Sequence, residues 1–285
     1  GGDATGESGT GGTGIGSKIV KTLGGIITKA KGGNATGEDG DGGAGIASDG
    51  TLTIHSGNIE TAQGGTSTNG NGGSGIYSNR ELKIDGNAAI TNATGGDSTD
   101  GNGGYGIRSS NMLTISDNAA ITNATGGSGR RGGNGLFGTA MKIISSTIGT
   151  AKGGEGKTSG GNGIYGVGKL TTHNATITNA TGGDADSGTG GSGIRGDGSS
   201  DDFKLYIYST TIENATGGSG KRGGSGILGK TMEILTSTIK KATGGRSTGK
   251  ESYHTGGAGI SSYGGLTIKG GTTVQAVGGD ADSGT

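Results

Sequence analysis

Residues 89–127 read AITNATGGDSTDGNGGYGIRSSNMLTISDNAAITNATGG, so the octet at 89–96 returns unchanged at 120–127. Between the two copies lie G-G-Y-G-I at 103–107 and L-T-I at 113–115. These segments are short, rich in Ile and Thr, bounded by Gly or Asn, and alternate apolar with polar residues. That pattern predicts strands; the apolar residues stand too far apart to form one face of a helix.

The same unit accounts for the whole chain. Units begin at Gly1, Gly32, Gly64, Gly95, Gly126, Gly153, Gly182, Gly217 and Gly244, with a partial tenth at Gly278, and run 27–35 residues. One aliphatic follows G-G-x-G in each: Ile15, Ile46, Ile76, Ile107, Leu136, Ile164, Ile194, Ile227 and Ile260. A Leu-x-Ile segment recurs at Leu52, Leu82, Leu113, Leu205 and Leu266, and the third segment carries an Ala in every unit, from Ala30 to Ala276. Repeats of this length mark stacked architectures. A strand of a few residues buries nothing alone, but stacking sets each Ile over the Ile of the preceding unit.

The expected fold is therefore all-β, a parallel β-solenoid forming a single continuous repeat domain over 1–285. About nine coils would carry three short strands each, with Ile and Leu inward and Thr, Lys, Asn and Asp outward. Gly is expected at corners that need positive φ or close backbone approach, and the recurring Ala at a tight corner. At about 4.8 Å per coil the rod would be on the order of 43 Å long. The handedness of parallel crossovers predicts right-handed winding. For the G-G segments alone, a polyproline-II-type sheet is the alternative.

Composition agrees with an extended repeat. Gly supplies 76 of 285 residues, nearly four times the ordinary share of about 7%. Ile, Leu, Val and Phe together make up roughly 15%, a disorder-like level without the high net charge that accompanies disorder. Absence of Pro and of a strict Gly period excludes collagen, and absence of Cys excludes disulfides and Cys-ligated metals. With 23 basic and 23 acidic residues the chain lacks the electrostatic footprint of a nucleic-acid binder. No apolar run approaches the roughly 18 residues of a membrane span.

A slower rhythm lies over the coils. Asp3, Asp97, Asp184 and Asp280 each follow G-G at every third unit, and two other units open with Arg130-Arg131 and Lys221-Arg222. Stacking should set Arg130 and Arg131 between Asp97, Asp100 and Glu155, and Lys221 and Arg222 beside Asp184 and Asp186. The acidic loops also offer weak calcium candidates in Asp39, Asp41, Asp184 and Asp186, next to Glu38, although the nonapeptide calcium-solenoid signature is absent. N-A-T sequons at Asn34, Asn92, Asn123, Asn174, Asn179 and Asn214 are candidate glycosylation sites, and equally corner residues able to bond local backbone. His55, His173 and His254 fall in different coils without an adjacent catalytic partner. Tyr77, Tyr105 and Tyr165 read as single outward aromatics. No catalytic set or cofactor motif emerges, so no enzyme activity is expected.

With G-I, L-x-I and I-T-N-A-T in place, the chain resembles microbial Gly-rich parallel β-helix surface proteins, adhesin passengers among them. The resemblance implies an extracellular or cell-surface rod serving adhesion, matrix or appendage structure. The expectation is a filament or stalk subunit, and because neither end of the sequence reads as a cap, one that stacks head to tail with itself. The alternative is a carbohydrate-binding module using a flat face with Tyr, Thr and Asn ladders; a Thr-based ice-binding face comes third because Lys and Arg interrupt its rows.

Overall fold

The inward aliphatics of the first segment pair one to the next, from Ile15 through Leu136 to Ile260, each strand parallel to its neighbour. This register defines a parallel β-solenoid of about eight turns in the computed structural model, which describes residues 1–197, 204–250, 254–270 and 273–281. Second-segment residues form another ladder, including Val20, Leu52, Leu82, Leu113, Met141, Leu170, Leu205, Met232 and Leu266. A third runs from Ile27 through Ile121 to Val274. The three ladders enclose one thin apolar core. From Ile46 to Ile239 its aliphatics are buried, each contributing about 1.5–3 kcal/mol.

Two details of the coil differ from expectation. First and second strands fuse in four coils, over Ile107–Ile115, Leu136–Ile144, Ile227–Leu235 and Ile260–Lys269. The shallow bend between them is held in several coils by an inward Ser. Ser109 Oγ donates to the carbonyls of Arg80 at 2.6 Å and Met112 at 2.9 Å, tying its own coil to the preceding one, and Ser48 and Ser78 make the same pair of contacts. The recurring Ala lies inside the third strand, facing the core, rather than at a turn: Ala93 pairs with Ala62 and Ala124, and all three are fully buried.

Of the two roles expected of glycine, close backbone approach accounts for more positions than positive φ does. Positive φ is needed at the turn from second to third strand, yet Ser145, Asn174, Ser209 and Thr236 take it there, and only Gly24, Gly25, Gly57, Gly86 and Gly270 do so among described glycines. The abundant G-G pairs serve close approach instead. Each coil leaves the body formed by the three ladders through one G-G, makes an outer lobe, and returns through a second. The two sets of G-G bond alternately: Gly104 N donates to Gly96 O, Gly127 N to Gly104 O and Gly133 N to Gly127 O, each at 2.8 Å. This zigzag runs unbroken from Gly2 to Gly279. A Cβ on Gly127 would overlap the carbonyl of Gly96, and one on Gly104 that of Gly73. The glycine before each first strand is tight as well, a Cβ on Gly106 lying 2.6 Å from Gly135 O.

Gly127→Ala should therefore destabilise the protein by about 3 kcal/mol or more, whereas Gly6→Ala, where an added Cβ meets nothing within 4 Å, should leave thermal melting unchanged or slightly raised. Ile115→Asp sets an unpartnered carboxylate in the core at a cost of several kcal/mol, while Thr114→Asp, half-exposed on the same strand, should be mild; similar melting of those two variants would contradict the inward phase of Ile115.

Candidate functional site

Because the glycine neck is thin, a groove runs along the rod between the body and the outer lobe. Its volume is about 790 Å³. The floor is G-G backbone, including Gly72, Gly73, Gly132 and Gly133; the lobe wall carries Asn71, Asn102 and Arg131, and Asn134 and Asn162 stand on the body side, just before the first strand. The body wall is the outward residue directly after each first-strand aliphatic. Register stacks Tyr77, Arg108, Phe137, Tyr165 and Arg195 in that order. Tyr105, just before the strand, adds a further ring.

These aromatics are not the isolated residues expected from sequence. Ring centroids of Tyr105 and Phe137 lie 5.0 Å apart, and those of Phe137 and Tyr165 5.6 Å apart. Arg108 sits 4.9 Å from the Tyr105 centroid, 5.3 Å from Tyr77 and 5.9 Å from Phe137. Arg195 lies 5.1 Å from Tyr165. Arg195 also donates to Asp197 through Nε at 2.6 Å and Nη2 at 3.1 Å. Burial opposes its charge, but the Asp197 pair outweighs burial and holds the guanidinium above its ordinary value. Burial likewise pushes the Tyr165 phenol upward. The stripe offers ring faces, side-chain amides and cations to an extended ligand.

A second polar cluster joins two coils. His55 and Asp85 are register partners, and His55 Nδ1 lies 2.8 Å from Asp85 Oδ1. Lys83 pairs with the other carboxylate oxygen. The expectation that His55 lacks an acidic partner is thus corrected: stacking supplies it. Burial works against ionised Asp85, yet hydrogen bonds from Lys83 and His55 prevail and hold its carboxyl below the usual range. Ser56 Oγ is spent on Gly86 O at 2.5 Å. No hydroxyl or second carboxylate bonds the far side of the His55 ring among the described residues. His173 and His254 stand in other coils.

The lobe residues form a different pattern from the one their charges predict. Asp97 Oδ1 accepts the Ser128 amide of the next coil at 2.7 Å, Asp184 that of Ser219 at 2.6 Å, and Asp3 that of Asn34 at 2.7 Å. These carboxylates cap backbone rather than pair with Arg130 and Arg131, which make no ion pair among the described residues. Asp100 meets Lys157, 3.6 Å away and two coils along. Of the calcium candidates, Asp41 accepts the Asn71 amide at 2.5 Å, and no cluster of three or more potential ligands forms around Asp39, Asp41, Asp184 or Asp186 among the described residues.

The sequon asparagines also bond along the stack: Asn123 Nδ2 to Asn92 Oδ1 at 3.1 Å, Asn214 Nδ2 to Asn179 Oδ1 at 3.2 Å, and Thr66 N to Asn34 Oδ1 at 3.0 Å. Asn174 stands apart as an exposed turn residue with φ 49.

No protein-family model, curated protein or solved structure matches this chain.

Asp85→Asn should remove stability that depends on an ionised carboxylate. Because the folded carboxyl titrates below its unfolded value of about 3.9, the native contribution is complete above that pH and fades as acid protonates Asp85. Wild type and variant melting temperatures should differ at pH 7 and converge towards pH 2; a constant gap throughout would refute the linkage.

Proposed function

We propose that this chain is a structural rod of the microbial cell surface, a right-handed solenoid segment of an extracellular filament or stalk whose coils continue into those of a neighbouring copy. The observation that carries the reading is the unbroken parallel register, which repeats the same ladders from the first described coil to the last. Ile15, Leu266 and Ile268, in the first and last of these coils, are 37–45% exposed, whereas their register partners Ile46, Met232 and Ile234 are fully buried. Both outer coils also keep the strand register of the interior. Further coils stacked in this register extend the same ladders and pair their strand edges, and a contact between unlike faces of two copies propagates without closing.

A second reading, glycan binding, is favoured by the aromatic and Arg stripe, which lies in the neck groove rather than on a flat face.

Light scattering and negative-stain microscopy at micromolar concentration test the rod. Wild type should form end-to-end filaments, and the double variant Leu266→Lys, Ile268→Lys should shift them to short rods with inner-coil melting retained. Uniform single rods of the wild type across that concentration range would count against assembly.

A further inference from the structure

Arg108 differs from the other charged residue of its stripe. Arg195 has a bidentate carboxylate, whereas Arg108 makes no ion pair or side-chain hydrogen bond among the described residues. Its Nε is sealed from solvent with no acceptor, and its guanidinium lies against three rings. A cation so placed has lost part of its hydration, and an anionic oxygen arriving from the groove that Arg108 lines supplies the counter-charge. Across the groove Arg131 is exposed and also free of any carboxylate among the described residues. The centre of the groove is therefore cationic on both walls, although the whole chain is neutral.

The shape of the groove selects the kind of anion. It is open along its length and spans lining residues from Thr10 to Thr189, which suits an extended polymer rather than a small metabolite. Its side chains repeat with the coil spacing of about 4.8 Å, close to the length of one sugar unit in an extended chain. Half-buried ring faces and amides fit the apolar faces and hydroxyls of pyranoses. Single-stranded nucleic acid fits less well, because it wants free stacking platforms in a uniformly basic channel. Here the rings pack on one another at 5.0 and 5.6 Å, and Asp41 and Asp49 border the same groove.

We infer that the neck groove binds a linear acidic polysaccharide, with Arg108 and Arg131 receiving its carboxylate or sulfate groups and Tyr77, Tyr105 and Tyr165, which line the groove, receiving its sugar faces. This rests on the glycan-binding reading and adds the charge of the ligand and the place where it lies.

Calorimetric titration of the full chain with polygalacturonate, its fully methyl-esterified form, dextran sulfate and oligodeoxythymidylate tests the proposal. Polygalacturonate or dextran sulfate should bind, and which of them binds more tightly identifies carboxylate or sulfate as the recognised group. Binding of a carboxylated chain should weaken about tenfold or more on esterification and in Arg108→Gln, the loss expected for a charge-assisted hydrogen bond. Arg131→Gln, on the exposed lobe, should weaken binding of the acidic chain as well. Arg80→Gln, an exposed Arg outside the groove, should bind like wild type, and all variants should retain wild-type melting. Equal affinity for the acid and its ester overturns the inference but leaves glycan binding standing. Binding of no polysaccharide defeats both readings. Tighter binding of the oligonucleotide, or acidic-glycan binding indifferent to both Arg108→Gln and Arg131→Gln, overturns the inference.

Discussion

Each turn of this solenoid passes twice through a neck in which backbone meets backbone at hydrogen-bond distance, with no room for a side chain. The alternating bonds from Gly2 to Gly279 join the outgoing and returning limbs of successive turns. Everything else depends on that contact. It closes the body, so that third-strand Ala and first-strand Ile share one core, and it sets the outer lobe at a fixed distance from the body. The groove exists because the neck is narrower than what lies on either side. Glycine is required here by volume, as the carbonyl oxygens of neighbouring turns occupy the space a Cβ would take.

How much of this could be read from sequence depended on the kind of signal. The ladders from Ile15 to Ile260 were legible because period-two alternation fixes which residues face inward, and any slip would turn the whole set outward. The neck was not, because Gly permits both positive φ and close approach, and only three-dimensional packing distinguishes the two. The stripe was half legible: Tyr77, Arg108, Phe137, Tyr165 and Arg195 all stand one place after the ladder aliphatic, so aligning the coils would have grouped them. The same alignment pairs His55 with Asp85. Lobe charges misled for a different reason. Asp97 and Asp184 lie within reach of backbone amides that need acceptors, and those short-range bonds were invisible to a pattern of formal charges.

Rod and groove are products of the same repetition. A stack of near-identical turns multiplies whatever stands at one outward position into a line along the axis, and ligand contacts made by single side chains become a continuous track. Variation at that position, from Gly16 and Ala47 through the aromatics and arginines to Leu228 and Ser261, confines the aromatic-rich part to the middle of the chain. Structural duty can be carried by the ladders while the track changes freely, because outward residues contribute little to the core.

The neck also has a thermal consequence. Heat capacity rises on unfolding when apolar surface meets water and falls when peptide groups do. Here a large share of the tight packing is peptide on peptide, and apolar residues of all kinds make up only 26% of the chain. The increment per residue is accordingly smaller than the ordinary value of about 12–15 cal/mol/K. A smaller increment flattens the curve of stability against temperature, so cooling weakens this rod less than it weakens a protein of the same length built around a thick hydrophobic core.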